Sequence, residues 1–66
     1  MDIRVTHLGK ETAIRLKPGS LASDLLKELK VNPETVLVAR NGEIVLEAEP
    51  LKEKDRIELI RVISGG

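Results

Sequence analysis

Only one stretch of this chain has a helical apolar period, so the chain has one helix with which to cover a sheet. Leu21, Ala22, Leu25, Leu26 and Leu29 fall at i, i+1, i+4, i+5 and i+8, a stripe down one side of an amphipathic helix. Ser23, Asp24, Lys27 and Glu28 occupy the other side. Ser20 is the expected N-cap, because its hydroxyl can accept an orphan backbone N–H of the first turn. Asn32-Pro33 stops the helix near Lys30, since proline lacks a backbone donor and restricts the residue before it. A single helix can cover one face of a sheet and leaves the other open.

The remaining segments supply that sheet. Asp2 to Leu8 alternates, with Ile3 and Val5 on one face and Arg4 and Thr6 on the other, the period of a half-buried strand. Gly9-Lys10 reads as the turn into a second strand, Glu11 to Lys17, with Ile14 and Leu16 inward. Pro18-Gly19 ends it. Thr35 to Arg40 is a third strand, and Asn41-Gly42 is a strong type I′ hairpin signal leading into a short strand, Glu43 to Leu46. Glu47 to Asp55 is a polar connection anchored by Leu51, its paired carboxylates (Glu47 and Glu49, Glu53 and Asp55) reading as a solvated loop. Arg56 to Ile63 is the last strand. The expected order is β-β-α-β-β-β, an α+β fold with a mixed sheet and one packed helix.

Composition excludes several functions. With 66 residues the chain is one small domain, and it has no cysteine, hence no disulfide, thiolate chemistry or cysteine zinc site. The absence of Phe, Tyr and Trp removes the stacking platforms that single-stranded nucleic acid uses. Eleven basic and eleven acidic residues cancel, without the basic excess that a phosphate backbone requires, so no direct nucleic-acid partner is expected. No apolar run of membrane-spanning length and no leader pattern is present, which points to a cytoplasmic protein and no membrane partner. The charged third of the chain and the lack of Gln and Cys hint at a thermophile. His7, the only histidine, has no partners at metal-ligand spacing, and no nucleophile–base set is found. Neither catalytic nor metal-binding residues are expected.

The sequence ends in Gly65-Gly66 after an apolar strand. Two glycines make a slender backbone that can enter a tunnel any side chain would block.

The helix segment Ser20–Leu29 (SLASDLLKEL), Val36–Glu43 (VLVARNGE), Leu51–Ile60 (LKEKDRIELI) and the terminal Arg61–Gly66 (RVISGG) together resemble the ubiquitin-like β-grasp proteins. The likeness is nearest to the ThiS/MoaD-like sulfur carriers and to archaeal ubiquitin-like small modifiers, and it spans essentially the whole chain. One departure is visible: Lys54 stands where the family often has glycine before the aspartate, a change confined to a local turn.

The resemblance implies a domain over residues 1–63 and a flexible tail over 64–66. It implies that a ubiquitin-activating-type enzyme uses ATP to adenylate the Gly66 carboxylate, with Gly65 and Ser64 as the tail. A sulfur donor then yields a thiocarboxylate for thiamine, molybdopterin or tRNA thiolation, handed to a sulfur-acceptor enzyme. Capture by cysteine and then lysine instead yields an isopeptide on a target protein. The carrier is a monomer that binds no cofactor itself and is a substrate rather than an enzyme.

The β-grasp arrangement also assigns faces where the third and fifth strands are apolar on both parities. Val36, Val38, Ile57 and Leu59 go to the core beneath the helix. Leu37, Ala39, Ile60 and Val62 form an exposed apolar patch beside the tail, to which the activating enzyme docks. The alternative is a non-catalytic β-grasp interaction module with an inert tail.

Overall fold

A computed structural model of the chain describes residues 1–62. Two antiparallel strands, β1 (Asp2–His7) and β2 (Lys10–Arg15), precede the helix α1 (Ala22–Leu29). A 3₁₀ turn, Pro33–Thr35, leads into β3 (Val36–Arg40), β4 (Glu43–Val45) and β5 (Arg56–Arg61). The sheet order is β2-β1-β5-β3-β4. β5 lies at the centre, parallel to β1 and antiparallel to β3, so the sheet is mixed. Element type and order follow the sequence reading.

The alternation builds the core. Ile3 and Val5 of β1, Ala22, Leu25 and Leu26 of α1, Val36 and Val38 of β3, and Ile57 and Leu59 of β5 are all buried in one cluster, joined by Leu51. Ile14, Leu16 and Leu29 pack partly buried against it. All four β3 and β5 residues assigned to the helix-facing side are therefore in place.

Boundaries moved where local chemistry was misread. The N-cap is Leu21 rather than Ser20. Ser20 Oγ donates to the Lys17 carbonyl (2.7 Å), while Asp24 Oδ2 accepts the Leu21 N–H (2.8 Å), placing a carboxylate at the positive end of the helix. Lys30 ends α1 in the left-handed conformation (φ 57°). The first turn is Leu8-Gly9 rather than Gly9-Lys10: both residues have positive φ (53° and 76°), and Lys10 pairs with His7.

The connection between β4 and β5 is pinned by polar contacts. Asp55, expected among solvated loop carboxylates, is buried. It accepts from Lys52 N–H (2.8 Å) and Asn41 Nδ2 (3.2 Å), with Arg40 Nε at 4.0 Å. Asn41 Oδ1 accepts the Arg56 N–H (3.0 Å). Arg40 Nη1 reaches Glu49 (3.0 Å) and the Pro50 carbonyl (2.8 Å). A buried carboxylate with this many donors is satisfied; its job is to hold residues 46–55 against the end of β3 and the start of β5.

Candidate functional site

Because α1 covers one side, the opposite face of the sheet is open to solvent. Strand register decides what it displays. Leu37 of β3 sits directly opposite Ile60 of β5, and both are exposed (44% and 37%). Val62 is half-buried, and its N–H donates to the Thr35 carbonyl (2.9 Å), which carries the β3–β5 pairing one step past the strand ends. Among the described residues, Val62 is thus the last point at which the chain leading to the tail is tied to the sheet.

Ala39 departs from expectation. It lies on the open face, but only 5% of its surface is accessible. Its cross-strand partners are Ile44 of β4 and Glu58 of β5, and a lone methyl between two longer side chains is shielded by them. Ala39 is the floor of the patch rather than a contact residue.

Two further exposed apolar residues were not singled out by the sequence reading, and strand register places one of them, Ile44, in the patch. Ile44 is 57% exposed. Its position was derivable: a two-residue Asn41-Gly42 turn fixes the pairs Arg40–Glu43, Ala39–Ile44 and Val38–Val45, so an inward Val38 forces Ile44 outward. Leu8 is the other, 67% exposed. It follows His7, the last β1 residue paired with β5, in the turn that leads to β2.

Leu8 occupies the first central position of a type I′ turn, where Asn, Asp or Gly is favoured and a branched side chain in the left-handed region costs about 1 kcal/mol. Leu8→Asn should therefore stabilise the fold by about that amount, read as a higher urea midpoint. An unchanged or lowered midpoint would show that the turn holds no strain.

The tail residues Ser64, Gly65 and Gly66, and Ile63 before them, lie outside the described residues. His7 is half-buried at the end of β1. Among the described residues no group of three His, Asp or Glu side chains could hold a metal ion, and no helix is long and apolar enough to cross a membrane.

An open apolar sheet face at the exit of a central strand is the arrangement of the ubiquitin-like β-grasp fold, and comparison with known proteins agrees. The sulfur carrier protein TtuB of Thermus thermophilus is 32% identical over 62 residues, covering 94% of this chain and 95% of TtuB. The crystal structure of the thiamine biosynthesis protein ThiS from Geobacter metallireducens superposes with a TM-score of 0.73 at 30% identity, covering all of both chains. A ubiquitin from Caldiarchaeum subterraneum gives the same TM-score at 18% identity, covering all of this chain and 98% of that one; at that distance the likeness concerns the fold alone. The ThiS family model matches residues 3–66, from the first core residue of β1 through the final glycine, and on that match the chain belongs to the ThiS family.

Proposed function

We propose that this protein is a ubiquitin-like carrier activated at its C-terminal carboxylate, and that it carries sulfur. The observation that supports this best is the family match running through Gly66, on a body whose apolar patch lies where β5 leads toward that residue. In the proposed cycle an activating enzyme docks on Leu37, Ile60, Ile44 and Val62 and takes Ser64, Gly65 and Gly66 into its active site. A Gly66 carboxylate oxygen attacks the α-phosphorus of ATP, releasing pyrophosphate and leaving an acyl-adenylate. Hydrosulfide from a sulfur donor attacks the acyl carbon and displaces AMP, giving a thiocarboxylate. The adenylation is needed because a free carboxylate has no competent leaving group.

Likeness to TtuB favours sulfur delivery as the main outcome, and conjugation to lysines is the second fate open to the same adenylate. On this reading the carrier is a cytoplasmic monomer, the catalytic groups belong to its partners, and the acceptor is an enzyme that builds sulfur into a small molecule or RNA.

Intact mass after incubation with ATP, a sulfur donor and the activating enzyme of its source tests the proposal. Appearance of the adenylate, then of the mass change for one oxygen exchanged for sulfur, is expected. An unmodified chain under conditions that modify a ThiS control would count against it.

The docking surface has its own test. Each methylene a partner buries is worth about 0.8 kcal/mol, so replacing both Leu37 and Ile60 by Thr should raise KM for the carrier about tenfold or more. Thr keeps strand preference at these exposed positions, so circular dichroism should not change. Unaltered kinetics would remove the open face from the interface.

A further inference from the structure

The open face has a second half. Where β5 begins, Arg56 sits directly beside Arg4 of β1 in the parallel register. Like charges opposed across a strand pair repel. Arg4 is answered by Glu11 at 3.5 Å, but Arg56 forms no ion pair among the described residues. Beside them Lys54 adopts φ 65°, held there by its N–H donating to the Asp2 carbonyl (2.8 Å). Glycine takes that conformation without strain and lysine does not. Asp2, Ile3, Arg4, Ala13, Lys54 and Arg56 line a cleft of about 670 Å³. Three cations and a single carboxylate thus border one cleft, and one of the three, Arg56, faces another cation with no ion pair of its own among the described residues.

We propose that this cleft receives a carboxylate-bearing segment of the same protein that docks on the apolar half of the face, which on the reading above is the activating enzyme. Arg56 and Val62 are six residues apart on an extended strand, about 20 Å. An apolar patch alone permits rotation about its own normal, because apolar contacts are non-directional. A charge contact at the far end of β5 fixes that rotation and so fixes the direction in which the tail is presented. A protein partner fits better than RNA: the three cations form one short cluster bounded by Asp2, Glu11 and Glu58 on the same face, which matches a single short carboxylate-bearing segment and not a continuous phosphate backbone, and the chain has no aromatic residue on which bases could stack.

Calorimetric titration of the full chain with the activating enzyme of its source tests this, at low salt and near 1 M salt, where the screening length falls to about 3 Å. Arg56→Glu should weaken binding more than tenfold at low salt, with most of the difference gone at high salt. Lys54→Gly should weaken it about threefold while raising the urea midpoint of the free carrier, a combination that unfolding cannot produce. If the wild type is adenylated and both variants bind as it does, the cleft has no part in docking and the proposal falls while the carrier reading stands. If the wild type is neither bound nor adenylated, both fall. Binding of an RNA oligonucleotide that Arg56→Glu abolishes would overturn it in favour of nucleic acid.

Discussion

Leu25→Ala is expected to take away about a fifth or more of the stability of this protein. Leu25 is fully buried, and it belongs to the one α-helix among the described residues, which covers the sheet. α1 is eight residues long, well short of the length at which an isolated helix is stable in water, so packing rather than propensity holds it. Removing a buried leucine side chain costs about 2–5 kcal/mol, the transfer of its methyl groups plus the cavity they leave. A domain of this size has about 3–10 kcal/mol in total. No aromatic residue is present to report by fluorescence, so far-UV circular dichroism against urea is the measurement. With a slope of about 1 kcal/mol per molar, the midpoint should fall by roughly 2 M or more, or the variant should be unfolded at the outset. Lys27→Ala, on the exposed side of the same helix, should stay within about 0.5 kcal/mol of the parent. A Leu25 variant as stable as the Lys27 variant would mean that the helix does not close the core.

That core was readable from residue order because two periods coexist in the chain without overlapping. Ile3 and Val5 alternate, Leu25 and Leu26 fall on one helical stripe, and the structure buries all four together. Val36, Val38, Ile57 and Leu59 were harder, since their strands are apolar on both sides; periodicity cannot choose a face there, and the β-grasp arrangement supplied the choice. Ala39 shows a different limit. Its face was right and its exposure was not, because exposure depends on the size of cross-strand neighbours, and Ile44 and Glu58 become neighbours only when β4 and β5 flank β3.

Leu8 had no local signal at all. A single glycine marks a turn without saying whether it stands first or second in it, and the His7–Lys10 pairing is a property of the finished hairpin. Asp55 looked like a loop carboxylate because its partners, Asn41 and Arg40, are 14 and 15 positions away. Contacts of that kind belong to topology rather than to pattern.

Deletion of Gly66 should abolish adenylation without touching the fold. The core cluster ends at Leu59 and the last described tether is Val62 N–H to Thr35, so losing the final residue should leave the urea midpoint unchanged. The chemistry is far less tolerant. An extended residue spans about 3.5 Å, and attack on phosphorus needs the carboxylate oxygen held within about 3–3.5 Å of it. With docking anchored on the sheet, a tail one residue short brings its carboxylate up by that whole distance. Misplacement of even about 1 Å can cost about 100-fold in rate, so at least that loss is expected in ATP–pyrophosphate exchange. Gly65→Ala should also slow the reaction while keeping full tail length, because a methyl group is added where the backbone must be narrow. The two variants separate reach from girth. If the chain lacking Gly66 exchanges pyrophosphate as fast as the parent, the tail is inert, and the open face of Leu37, Ile44 and Ile60 would serve an interaction module rather than a carrier.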